Sequence, residues 1–517
     1  TQIIVVDTGS DDDTIQIAEN YGAQVFHFDW CDDFAAARNF GLEKASGDWV
    51  LIIDADEVLT PEGMAGLLED IQQKNHLGFR IRCNHLEKTG GNKGYQPMAD
   101  AWHYIPRLVR NAPGLHFVGI IHEQIFSSVT VRAEDWQMET GFGHTEFHHF
   151  GYDPDTKIKR NKSKRNITLL EKALEDSPDE PTLLMSYALD LYNRGDVEAA
   201  LEKTQASYDI VSGYPSESVA PEVRERLLSV FCSLLLQSES YSELIEVAES
   251  PLANDCGPTR SILYMYALAL FKTGRAEDAE SPLRECISKQ NERTYCAPVP
   301  GTIGEAPHHL LADCLAKQKQ NDEALKQYQT ALELNPKHVG IRHDFAKLLT
   351  QEGRAKEAVE LLHEAIQSGI MNATLWSLGS QVVNGHLNDA EIALRWTHCA
   401  VQEDATHPEI RKQRGIALLS AGQFTEAMEY FIDNSEPYHP SNEAGKILCN
   451  LAAGDSITIS DPANEEAVST ALVNWYRRLL ERNQEQAART VMGKLDQLES
   501  TLPTATSVLR EAFAEAE

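Results

Sequence analysis

The chain has 517 residues, 42% of them apolar and 24% charged, which is too long for one hydrophobic core and ordinary for globular domains. Seventy-nine acidic against 46 basic residues give a net charge of −33, a surface field that repels nucleic-acid backbones and anionic lipid. The nine cysteines are odd in number and none has CxxC spacing, which argues against a disulfide framework and a zinc site and fits a reducing cytoplasm.

In chain order, Ile3–Val6 is a short β-branched run ending at Asp7-Thr8-Gly9-Ser10, and it reads as a strand already under way. A helix over about 13–21 follows, closed by Gly22. Gln24–Phe28 alternates like a strand, and 34–46 reads as a helix closed by Gly47. Trp49–Ile53 is continuously apolar, as a strand buried on both faces would be, and it ends in Asp54-Ala55-Asp56-Glu57. Thr60-Pro61 then opens another helix with a capping side chain and a proline at its first position. Strands alternating with helices predict a mostly parallel sheet, whose ligands gather at the C-terminal strand ends. Residues 84–100 are rich in Gly, Asn and Pro and read as a loop, with short strands and turns up to about Tyr152.

From about residue 158 the pattern is helical and repetitive. Ala200, Ala279, Ala324, Ala358, Ala393 and Ala427 each follow a glycine or polar turn, the last four at intervals of 34, 35 and 34 residues. Small residues at one place in each unit let two helices approach closely, and a 34-residue period marks tetratricopeptide repeats. The wider gap between Ala200 and Ala279 predicts a degenerate unit near Tyr241–Ala248. No run approaches the roughly 20 apolar residues of a membrane span. The domains expected are 1–155 α/β, 156–180 a helical linker, 181–465 the repeat array and 466–517 capping helices.

Asp54 and Asp56 stand two apart on an extended segment and so face the same way, where two carboxylates can hold one hard divalent cation. Five histidines fall between 116 and 149: His116, His122, His144, His148 and His149. His122-Glu123 sets an imidazole beside a carboxylate, a pair suited to general-base work. Arg38, Arg107 and Arg110 are scarce positive charges in an acidic domain, and guanidinium suits bidentate phosphate contact.

Together these strings carry a resemblance. Val6-Asp7-Thr8-Gly9-Ser10 with Asp12 and Thr14, Phe34-Ala35 with Ala37-Arg38-Asn39, and Gly47-Asp48-Trp49-Val50-Leu51 with Asp54-Ala55-Asp56-Glu57 resemble family 2 glycosyltransferases of the GT-A fold. Arg107–Arg110, Phe117 with Gly119 and Ile121-His122-Glu123, and His149-Phe150-Gly151-Tyr152 look like the branch that carries tetratricopeptide repeats behind the catalytic domain, to which the bacteriocin S-glycosyltransferases belong. The resemblance covers about residues 1–170.

It implies nucleotide contacts from Asp7, Arg38, Asp54 and Arg107, and Mn²⁺ or Mg²⁺ held by Asp56 with Asp54 and His149. It makes Glu123, beside His122, the base that deprotonates the acceptor. The reaction implied is inverting sugar transfer from a nucleotide diphosphate, UDP-linked, to a peptide or protein bound by the repeats. A cell-surface saccharide or lipid-linked glycan is the alternative acceptor, a non-catalytic scaffold the alternative role, and the array could instead serve dimerisation. Family members begin with a further strand and helix; that unit is expected to precede residue 1, and the chain as it stands is expected to be weakly active or inactive.

Overall fold

The computed structural model describes residues 2–88, 95–150, 156–215, 219–290, 292–431, 440–453, 455, 457, 465–481, 485–499 and 502–516. The chain divides into two compact units, Thr1–Cys314 and Leu315–Glu517.

The first unit opens with β1 (Ile4–Asp7), α1 (Thr14–Asn20) and β2 (Gln24–His27), with β1 and β2 parallel. Next come α2 (Phe34–Lys44), β3 (Trp49–Leu51), β4 (Glu57–Leu59), α3 (Pro61–Asp70), β5 (His76–Lys88), β6 (Tyr95–Arg110), α4 (Phe126–Trp136) and β7 (Glu139–His149). These strands build a five-stranded sheet in the order β3-β6-β5-β7-β4.

The α/β class is as expected, but the sheet is mixed rather than mostly parallel. Only β1 with β2 and β5 with β7 run parallel; β3–β6, β4–β7 and β5–β6 are antiparallel. The reason lies in the segment read as a loop. Both its flanks are strand, pairing from Gly78↔Val109 out to Lys88↔Tyr95, and consecutive strands joined by a short connection must run antiparallel. The tip, 89–94, lies outside the described residues. Nor is β3 buried on both faces: it pairs with β6 alone among the described residues, and Ile53 just beyond it is 46% exposed.

Helices fix the strand ends that matter. The Asp33 side chain accepts from Ala36 N at 2.9 Å and starts α2. Thr60 caps α3 through Gly63 N at 2.8 Å. Gly63 and Gly66 let α3 lie directly on β7, since a Cβ would come 2.1 Å from the Glu146 carbonyl oxygen and 2.2 Å from that of His144. Asp70, at the end of α3, accepts from the amides of His144 and Thr145 at 2.9 Å each. On the other side Leu77, Val109, Phe126, Val129 and Ala133 pack α4 against the sheet.

After β7 the chain is helical: α5 (Thr156–Asp176), α6 (Pro181–Asn193), α7 (Val197–Ser212), α8 (Pro221–Gln237) and α9 (Tyr241–Ala248), the last being the degenerate unit the alanine spacing called for. Hairpins of two helices continue through the second unit, where Val339–Gln351 packs with Ala355–Gln367, and the described residues from Glu465 on are mostly helical, as expected. All six alanines, Ala200, Ala279, Ala324, Ala358, Ala393 and Ala427, are 0% exposed, as inter-helix contact positions must be. None of the helices described is long and apolar enough to cross a membrane.

Candidate active site

The site is built around Asp54, just past β3. Ile52 N donates to Arg107 O at 2.8 Å, so β6 holds the strand exit. Asp54 N donates to Glu57 Oε2 at 2.8 Å, and Glu57 N to Asp54 O at 3.0 Å, closing the acidic string into a turn. The Asp54 carboxylate lies in a clamp of two guanidinium groups. Arg38 Nη2 donates to Oδ1 at 2.8 Å, Arg107 Nη1 reaches the same oxygen at 3.4 Å, and Arg107 Nη2 holds Oδ2. Burial alone would push this carboxyl up; the charges of Arg107 and Arg38 outweigh it and hold Asp54 below the usual carboxylate range. Glu57, buried more completely, goes the other way: desolvation raises its carboxyl despite Arg107, whose Nη2 stands 3.5 Å away.

Arg38 also holds Glu123 through its Nε. The helix and the loop that bring these two together are sewn by Asn39, which accepts from Phe117 N at 2.7 Å and donates to Phe117 O at 3.0 Å. Phe34 N adds a bond to Ile120 O at 2.9 Å. Within the loop, Val118 and Gln124 exchange two 2.9 Å bonds around a tight turn that needs positive φ at Gly119 (98°) and His122 (52°). That turn separates the two members of the expected pair: Glu123 points to Arg38, whereas His122 is exposed, its Nε2 3.9 Å from Asp190 of α6.

Asp56 follows in the acidic turn, so Asp54 and Asp56 do not stand on the extended segment the sequence predicts. Phe150 N donates to the Asp56 carbonyl at 2.9 Å, and Asp56 Oδ2 stands 3.3 Å from His149 Nε2. A carboxylate oxygen and an imidazole nitrogen side by side at a strand end are both groups that can ligate a divalent ion. Gly151 and Tyr152 of the same string lie outside the described residues. Asp7 sits at the end of β1, 5% exposed, accepting from Ser10 N at 3.1 Å and Gly9 N at 3.2 Å. The bonds from Ser10, and then Gly9 and His27, hold its carboxyl low against the push of burial.

Arg110 does not join the site. It donates to the carbonyls of His76, Gln73 and Lys74 at 2.8, 3.0 and 3.1 Å and covers the Trp49 ring. His116 and His144 are also elsewhere, at Gly114 O and at Asp70. Three residues not singled out from the sequence, Cys83, His85 and His103, lie together on β5 and β6, with His85 Nδ1 2.9 Å from His149 Nδ1.

With this geometry in hand, likeness to known proteins is informative. The model of glycosyl transferase family 2 matches residues 1–118, and that of the tetratricopeptide repeat matches 308–378. The chain carries a family 2 glycosyltransferase domain followed by tetratricopeptide repeats.

The chain is similar to a tetratricopeptide-repeat-containing protein of Synechococcus elongatus, 34% identical over 202 residues, 38% of this chain and 48% of that one. The SPbeta prophage-derived glycosyltransferase SunS of Bacillus subtilis is 25% identical over 251 residues, 47% of this chain and 54% of that one. An uncharacterized glycosyltransferase of Rickettsia prowazekii is 44% identical over 88 residues, 16% and 28% of the two chains. The chain thus spans about half the length of the first relatives it matches. Among solved structures, YrrB, described as a TPR protein with an unusual peptide-binding site, matches 44% of this chain and 96% of its own at 19% identity, with a TM-score of 0.31.

Proposed function

We propose that the chain is an inverting glycosyltransferase that moves a sugar from a nucleotide-diphosphate donor, UDP-linked, to a peptide or protein acceptor. The observation that carries this reading is the convergence on one carboxylate: Asp54 is gripped by Arg38 and Arg107, and Arg38 also grips Glu123. Four charged groups from four separate segments, α2, the turn after β3, β6 and the loop before α4, converge there, and their side chains are only partly exposed. They suit a site that must hold an anionic donor in an otherwise acidic domain.

In this reading Asp7 and Asp54 orient the nucleoside, with Arg38 and Arg107 positioned toward the phosphates. Asp56 and His149, with Asp54 behind them, are the residues that fit a divalent cation, Mn²⁺ or Mg²⁺. When bound, such an ion offsets the charge on the departing diphosphate. Glu123 takes the acceptor proton, its orientation fixed by Arg38 and by the Asn39-braced loop. His122, turned out of the pair, is assigned to the acceptor side of that loop rather than to proton transfer. The peptide acceptor is favoured because tetratricopeptide hairpins commonly receive extended peptides.

The test is donor hydrolysis and transfer with Mn²⁺. Glu123→Gln is expected to lower transfer by about 10²- to 10⁴-fold, the range for general-base loss, while donor binding persists. Transfer at the parent rate in that variant contradicts the assignment.

A further inference from the structure

Cys83, His85 and His103 offer one sulfur and two nitrogens that all lie within 4.8 Å of one another. Their assembly follows from strand register. Cys83 and His85 are two apart on β5 and share a face. Cys83 stands opposite His103 on β6, and His85 stands opposite His149 on β7. Side chains opposite one another across paired strands are neighbours, so four ligand-type groups from three strands meet on one patch. The rings are already in contact: His85 Nε2 is 3.1 Å from His103 Nδ1, and the two imidazoles stack at 5.0 Å.

From this arrangement we propose a second metal site, held by the Cys83 thiolate and the imidazoles of His85 and His103, for a thiophilic divalent ion of the zinc type. Zinc binds sulfur at about 2.3 Å and imidazole nitrogen at about 2.0–2.1 Å, so its ligand atoms lie about 3.3–3.8 Å apart. Small side-chain rotations reach that from the present positions. Both rings present nitrogens of the kind a zinc-type ion takes. A cysteine ligand gives up its proton on binding, so uptake weakens as pH falls.

The second layer is in place as well. His85 Nδ1, on the far side of the ring from the ion, lies 2.9 Å from His149 Nδ1, and His149 Nε2 lies 3.3 Å from Asp56 Oδ2. Ligation through His85 Nε2 leaves its Nδ1–H to donate to His149, whose own proton then sits on Nε2 and points at Asp56. Such a chain ending on a carboxylate is how metal-bound histidines are held. A catalytic ion bound by His149 Nε2 needs the opposite setting, with His149 donating to His85. The two ions therefore compete, a linkage that rests on the proposed function, whereas the zinc-type site does not.

Cobalt(II) titration of the metal-stripped chain tests the site. One equivalent is expected to produce thiolate-to-cobalt charge-transfer absorption with intense visible bands, displaced by zinc. Cys83→Ser is expected to lose the charge-transfer band, and His103→Asn to weaken cobalt binding at least tenfold. In Asp56→Ala the band is expected to remain, which separates this site from the proposed catalytic one. Absence of the band in the unaltered chain, or its persistence in Cys83→Ser, overturns the proposal. For the linkage, one equivalent of zinc is expected to raise the manganese concentration that half-saturates the unaltered chain several-fold and to leave Cys83→Ser unchanged; equal behaviour of the two contradicts it.

Discussion

Arg38 joins two carboxylates that would repel each other without it, so its removal is felt in both stability and chemistry. Because Asp54 and Arg38 are partly exposed, Arg38→Met is expected to cost about 1–3 kcal/mol, between the values for exposed and buried pairs, measured by urea unfolding. The pH dependence has two opposing parts. Asp54 is depressed below 3.8 in the folded state, so its contribution is full above the unfolded value and is lost as pH falls through the folded one. Glu57 is raised above its ordinary value, so its burial begins to cost stability as pH rises through the unfolded value, costs most above the folded one, and is relieved in acid. Asp54→Asn is therefore expected to flatten the acid loss below about pH 4, and Glu57→Gln to remove a destabilisation seen at neutral pH. Unfolding midpoints across a pH series check both. These residues were legible because the acidic string follows an apolar run. Glu123 was legible too, but its separation from His122 was not, because that depends on a positive φ which histidine does not advertise.

The hairpin elements repeat one turn. The residue two before the start of the second helix is left-handed in these hairpins: Gly195, Gly274, Gly353 and Gly422 in four units, and Glu239, Lys319 and Asn388 in three others. A side chain in that conformation costs roughly 1 kcal/mol more than glycine. Lys319→Gly is thus expected to stabilise by up to about 1 kcal/mol and Gly353→Ala to destabilise by a similar amount, read as opposite shifts in the thermal midpoint. Gly66→Ala is a sharper case: its Cβ would meet backbone of β7 at 2.2 Å, so α3 must lift from the sheet that carries Thr145 and His149, with a loss of several kcal/mol. The repeats could be read from sequence because a buried alanine recurs at a fixed interval. The β5–β6 hairpin could not, because glycine, asparagine and proline crowd its middle and mask the strand periodicity on either side. The same masking covers His85, and the neighbourhood of Cys83, His85 and His103 arises across strands, where no spacing along the chain records it.

At the scale of the molecule, the −33 charge sets the background. Self-repulsion opposes compactness, so raising salt from about 0.01 to 0.15 M, which shortens the screening length from about 30 to 8 Å, is expected to raise the thermal midpoint by a few degrees. Against that background an anionic donor needs the Arg38–Arg107 pair and a cation. Calorimetric titration with UDP, with and without Mn²⁺, tests this most directly. UDP binding is expected to need Mn²⁺ and to disappear in Asp56→Ala; UDP bound equally well with the metal chelated, or by Asp56→Ala, would contradict the assignment of this site.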